Sequence, residues 1–249
     1  MAGHSQFKNI MVRKGKQDAK RGKIFTKIIR EIISAARGGM PDPNVNPRLR
    51  GAIQWAREEN MPRDKIEAAI KRGAGNSDAD NFESIRYEGY GAGGVAVIVQ
   101  ALTDNRNRTA PDIRSTFVKN GGNMGDPGSV AFMFDYVGMI YYPASAATED
   151  AMLEAAIDAG ADNCESDSEG HTVTTSPEGF LGVREALDNK FGAAASAKLT
   201  WQPKITSSVN EEQAKQIIKL IDTLEDNDDV QDVFSNADIS PEIMERLSA

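Results

Sequence analysis

The chain has 249 residues, 40% of them apolar and 27% charged, which is enough to bury more than one core and too apolar for a disordered tail. Its single cysteine, Cys164, excludes an internal disulfide, and with only His4 and His171 beside it there is no Cys/His set for structural zinc. The net charge of −8 is unevenly spread: residues 1–78 hold 17 Lys and Arg against 8 Asp and Glu, a balance of +9, while residues 79–249 hold 12 against 29, a balance of −17.

A basic head on an acidic body points to nucleic acid or a membrane surface as partner. The opening residues, "MAGHSQFKNIMVRKGK", lack the apolar core of a signal peptide, and no run reaches the ~18–20 apolar residues of a membrane helix. A cytoplasmic protein with no membrane partner is expected. In "QDAKRGKIFTKIIREIISAA", residues 17–36, a helical period of about 100° per residue puts Phe25, Ile28, Ile29, Ile32, Ile33 and Ala36 on one side. Lys16, Lys20, Lys23, Lys27 and Arg30 fall opposite, a ladder of cations about one turn apart. Arg21 falls on the apolar side, and Gly22 weakens the helix there. With Arg13 and Lys14 in a Gly-interrupted basic arm ahead of the helix, this ladder presents mobile cations in the number that phosphate binding needs. Two further helices complete a bundle. "NPRLRGAIQWAREEN" starts at the cap Asn46 with Pro47 in first position, and "MPRDKIEAAIKRGAG" repeats the device with Pro62 and ends at Gly73.

"GAGNSDADNFES" reads as a linker into the body. From Val137 to Pro203 the pattern is β-α-β-β-α-β, a complete ferredoxin-like unit, with a hairpin around Glu169 and Gly170. Around it, strand 94–103, helix 107–120 and strand 129–136 give one βαβ half. "KITSSV", the helix "NEEQAKQIIKLIDTLE" and the strand "DVQDVFSN" give the other, with strand 83–90 added. The expected architecture is α+β and multidomain. It comprises a helical bundle in 1–78 and two ferredoxin-like α/β domains, a discontinuous one in 79–136 plus 204–249 and one in 137–203 inserted into it.

The glycines of "YEGYGAGGVAV" lead into a strand rather than a helix, so they make a hairpin turn and not a phosphate loop. "GGNMGDPGS", 121–129, reads as an ordered loop whose small residues let backbone amides approach a ligand. In "TDNRNRTAPDIR", Thr109 suits a helix cap. Arg106 and Arg108 either form a second candidate anion site or pair with the body's own carboxylates. "EDNDD", 225–229, lacks the alternating ligands and central glycine of a calcium loop and reads as a solvated turn. No catalytic constellation, metal site or cofactor motif is found.

"MAGHSQFKNI", "QDAKRGKIFTKIIREI", "NPRLR", "NMPRD", "YEGYG", "DNRNRT" and "LIDTLEDNDDVQDV" resemble the YebC-like proteins, in order, over nearly the whole chain. The resemblance implies a helical N-terminal domain, two α/β domains, a bacterial cytoplasmic location and no established catalytic activity. It further implies transcriptional regulation through DNA, with mitochondrial relatives that activate translation and some bacterial relatives linked to ribosomes stalled on proline runs. The chain departs from the family pattern at Ser5, Gln6 and Phe7, where a Ser-Lys-Trp run is common. Losing the cation and the indole leaves His4 and Phe7 as weaker contacts than the ladder.

The expected function is a non-enzymatic regulator that binds nucleic acid through Arg13, Lys14, Lys16, Lys20, Arg21, Lys23, Lys27 and Arg30, leaving the acidic body to a protein partner. DNA is one target; ribosomal RNA within the ribosome is the alternative, since lysines favour backbone contact over base reading. A metal-dependent enzyme acting on nucleic acid through carboxylates near Asp226 is the competing reading of another class.

Overall fold

A computed structural model describes residues 21–75 and 81–248. The chain forms two compact units, one of Phe132–Ile205 and one that combines the preceding helices and strands with Thr206 onward.

The larger unit opens with α1 (Arg21–Arg37), α2 (Pro47–Glu58) and α3 (Arg63–Ala74). Ile28, Ile32, Ile33 and Ala36 of α1 are buried against Leu49, Ile53 and Ala56 of α2 and Ile66 and Ala69 of α3. Each fully buried isoleucine contributes about 1.5–3 kcal/mol. Asn46 does more than cap α2. Its Oδ1 accepts from the Leu49 N–H at 3.0 Å, and its Nδ2 donates to the Ala35 and Met40 carbonyls, each at 2.8 Å. One buried amide thus ties the end of α1 to the start of α2. Pro62 stands just before α3 rather than inside its first turn, and Gly73 does not end that helix. Instead Gly73 lies where α3 crosses α1: a Cβ there would meet the Ile33 carbonyl at 2.6 Å and the Ala36 Cβ at 2.8 Å.

The same unit contains β1 (Glu83–Tyr90), β2 (Ala96–Thr103), α4 (Arg106–Lys119) and β3 (Asn123–Met124). After the inserted unit it resumes with β8 (Ser207–Ser208), α7 (Glu211–Glu225), β9 (Val230–Ser235), β10 (Ala237–Asp238) and α8 (Pro241–Ser248). The sheet order is β3-β1-β2-β9, antiparallel throughout. Val97, Val99 and Ala101 of β2 pack beneath Ile113 and Phe117 of α4 and Ala214, Ile217, Leu220 and Leu224 of α7.

Two expected strands are corrected here. "KITSSV" supplies only Ser207–Ser208, which pair in parallel with β10 in a separate ladder, and β2 is flanked by β1 and β9. Residues 129–136 form no strand of this sheet, whose edge is the short β3. The reason lies in Glu88 on β1, whose carboxylate is buried and accepts from the Val130 and Ala131 N–H groups, each at 2.9 Å, and from Arg86 Nε at 2.9 Å. Burial alone would raise the Glu88 pKa; hydrogen bonds from the Val130, Gly128 and Ala131 amides and the charge of Arg86 outweigh it and hold the carboxyl below its usual range. Loop amides do approach an anion, but it is the chain's own.

The inserted unit contains β4 (Phe134–Pro143), α5 (Glu149–Asp158), β5 (Asn163–Ser166), β6 (Gly170–Thr175), α6 (Phe180–Phe191) and β7 (Ser196–Pro203). Its antiparallel order, β5-β6-β4-β7, is that of a ferredoxin-like fold. It begins a few residues earlier than Val137 because β4 runs unbroken from Phe134. Ile140, Tyr142 and Val173 meet Met152 of α5 and Val183 and Leu187 of α6 in its core. His171 is buried, with Nε2 on the Ala147 carbonyl at 3.0 Å and Nδ1 on the Ser166 hydroxyl at 2.7 Å.

Because the atoms opposing Gly73 include backbone, Gly73→Ala is expected to force α1 and α3 apart at a cost of about 1–3 kcal/mol. Hydrogen exchange should show the loss in α1 and α3 amides, with the amides of the inserted unit unchanged.

Candidate nucleic-acid interface

The eight cations singled out from the sequence divide by position. Arg13, Lys14, Lys16 and Lys20 lie outside the described residues, as do His4 and Phe7, and Arg21 is the first residue of α1. Lys23, Lys27 and Arg30 are described, and all three lead to one place, the end of α7 and the turn that follows it.

Helix α7 ends at Glu225, leaving carbonyls without partners inside the helix and a partial negative charge at that end. The cations of α1 answer both. Lys23 Nζ donates to the Asp226 carbonyl at 3.0 Å and lies 3.2 Å from its Oδ1. Lys27 Nζ donates to the Glu225 carbonyl at 3.0 Å, and Arg30 Nη1 donates to the Asp228 carbonyl at 2.6 Å and to Asp229 Oδ1 at 2.6 Å. Lys27 is 9% exposed, so this part of the ladder is not an open face. The guanidinium of Arg30 also lies over the Phe82 ring, 5.6 Å from its centroid.

Asp229, only 4% exposed, is the centre of the arrangement. Beyond Arg30 it accepts from Arg108 Nη2 at 3.0 and 2.9 Å, from the Thr109 hydroxyl at 2.6 Å and from the Thr103 hydroxyl at 3.3 Å. Its N–H donates to Asn227 Oδ1 at 2.9 Å, and its carbonyl accepts from the Leu102 N–H at 2.7 Å. Burial pushes this carboxyl's pKa up, but the hydrogen bonds from Thr109, Arg108 and Arg30 exceed that effect and leave it below the ordinary carboxylate range.

Arg106 and Arg108 do not act together. Arg108 spans Asp229 and Asp104, the latter at 2.9 Å, whereas Arg106 is exposed at the first position of α4. Asn105, not Thr109, caps that helix by accepting from the Arg108 N–H at 3.2 Å. Thr109 turns its hydroxyl to Asp229 instead. The "EDNDD" turn, expected to be solvated, is where α1, β2 and α4 meet. Among the described residues, no group of His, Cys, Asp and Glu is arranged to hold a metal ion.

Two family models match this chain in tandem, the TACO1/YebC N-terminal domain over residues 5–76 and the TACO1/YebC second and third domains over residues 82–237. The chain belongs to the TACO1/YebC family. A crystal structure of a conserved hypothetical protein, Aq1575 from Aquifex aeolicus, is similar at 47% identity and a TM-score of 0.82, covering 91% of this chain and 94% of that one. Read as a TACO1/YebC protein, the chain has its N-terminal domain joined to the next one through Asp229, a residue that no single-motif reading singles out. The signal was present as two separate segments, "DNRNRT" after β2 and "EDNDD" before β9. Only the pairing of those strands, Ala101 opposite Val230, brings them together.

Asp229→Asn is expected to destabilise this TACO1/YebC chain by about 3 kcal/mol at neutral pH, since it leaves two arginines facing an amide. A carboxyl whose folded pKa is depressed contributes stability above its unfolded value, about 3.9, and loses it as pH falls through the lower folded value. Thermal denaturation against pH should therefore show the gap between wild type and Asp229→Asn closing below about pH 4.

Proposed function

We propose that this protein is a non-enzymatic regulator of gene expression that acts in the cytoplasm by binding DNA through its basic N-terminal domain. The observation that carries this reading is the segregation of charge, +9 in residues 1–78 against −17 in residues 79–249. A polyanion attracts the first and repels the second, which orients the molecule and leaves the acidic body to a protein partner. Membership of the TACO1/YebC family is consistent with a transcriptional regulator. No described helix is long and apolar enough to cross a membrane.

The anchoring of Lys23, Lys27 and Arg30 divides the ladder. Those three fix the head to the body, and Arg13, Lys14, Lys16, Lys20 and Arg21, earlier in the chain, carry the phosphate contact. A second reading, a translation factor bound to ribosomal RNA, draws support from the lysines of this set, which neutralise phosphates without reading bases.

One titration separates these. Binding to duplex DNA should weaken steeply with salt, and replacing Arg13, Lys14, Lys16 and Lys20 by Gln should reduce the slope of log K against log salt by about 3–4. Absence of DNA binding, together with co-sedimentation with ribosomes that the same four substitutions abolish, would transfer the function to RNA.

A further inference from the structure

The described cations of the head can be sorted by their partners. Lys23, Lys27 and Arg30 are held by the 225–229 turn, Arg48 by Glu31 at 2.7 and 3.0 Å, Arg63 by Glu67 at 2.7 Å, and Lys65 lies over the Phe25 ring. Arg37 donates to the Gly75 carbonyl. Arg50 and Arg57 of α2, like Lys71 of α3, are different: all three are exposed, and none of their side chains has an ion pair, hydrogen bond or ring contact among the described residues.

Arg50 and Arg57 also share a side of α2. Arg50, Gln54 and Arg57 are spaced i, i+4, i+7, which places them within about 60° of one another and spreads them over about 10 Å of axis. Gln54 Nε2 donates to Glu58 Oε1 at 3.1 Å, which fixes the amide and leaves its Oε1 and second N–H for other partners. Glu58 is the acidic member of this side and lies at its C-terminal end.

On the flank of this side, about 60° from Gln54 around the helix and next to Glu58, is Gly51, an exposed position in the helix interior. Glycine weakens a helix, and buried glycines such as Gly73 repay that through close packing. Gly51 has no such internal reason, because a Cβ there would have no heavy atom within 4 Å. Its missing side chain leaves room on the outer side only.

We infer that this face of α2 enters the major groove of DNA, with Arg50, Gln54 and Arg57 on base edges and Gly51 allowing close approach; this rests on the nucleic-acid reading above. Arg reads guanine and Gln reads adenine by paired hydrogen bonds, and the groove, about 12 Å wide, admits a helix. A span of about 10 Å covers about three base-pair steps. The narrow major groove of A-form RNA would exclude the same face. The arm and ladder then supply affinity, and α2 supplies sequence preference.

The test uses the full chain. A duplex selected from random DNA is compared with a scrambled duplex and with duplex RNA of the selected sequence, for wild type, the Arg50→Ala/Gln54→Ala/Arg57→Ala variant, Arg50→Lys/Arg57→Lys and Gly51→Gln. Wild type should prefer the selected DNA. The Ala and Lys variants should each lose at least about tenfold of that preference, the Lys pair with its salt slope unchanged. Gly51→Gln should melt no lower than wild type, by circular dichroism, and still bind the selected duplex more weakly. Wild-type binding with no sequence preference, or a triple Ala variant with preference intact, overturns the role of α2 alone. Failure of wild type to bind any duplex DNA removes the DNA reading as well.

Discussion

The buried carboxylate of Asp229 is the constraint on which the rest of the larger unit depends. Taking a carboxylate out of water is costly unless donors replace the lost hydration, and here two guanidinium groups and two hydroxyls do so. The donors come from α1, from β2 and from α4, so satisfying one anion sets the positions of three elements. The Asp229 backbone is also tied in, its carbonyl bonded to Leu102 where β2 and β9 pair. A charge placed at a strand end has become the joint between a helical bundle and a sheet.

That joint changes the meaning of a basic helix. Viewed as a sequence, the cations of α1 form one uniform row. In the fold its described members, Lys23, Lys27 and Arg30, are taken by the carbonyls and carboxylates at the end of α7, a second use for cations that would also suit phosphate. Charge counting alone cannot separate these uses, since both demand the same residues. Burial separates them: Lys27 is almost wholly covered, while Arg50 and Arg57 on α2 remain open.

The parts legible in the sequence were those set by local rules. The apolar period of residues 25–36, the cap at Asn46 and the alternation through residues 137–203 each reflect contacts within one element or between neighbours, and the corresponding helices and sheet formed. What could not be read depended on distant partners. "SVAFMFDY" has the apolar content of a strand, yet the amides of Val130 and Ala131 are taken by Glu88, over 40 residues earlier. "EDNDD" looks like a hydrated turn until its partners, about 200 residues away in α1, are in place. In both cases a buried acid decides the local structure, and acids give no periodic signal of burial.

The discontinuity of the larger unit has a consequence for how the molecule is made. Chains emerge from the ribosome N-terminus first, and domains generally fold as units in that order. The head and β1–β2–α4 are synthesised well before Asp229, and the whole inserted unit intervenes. Until residues 211–235 emerge, Arg30 and Arg108 lack the carboxylate that unites them, and β2 lacks its neighbour β9. The bundle is therefore made with one cationic side unfilled, and synthesis of the end of α7 and the turn before β9 supplies the carbonyls and carboxylates that Lys23, Lys27 and Arg30 bind.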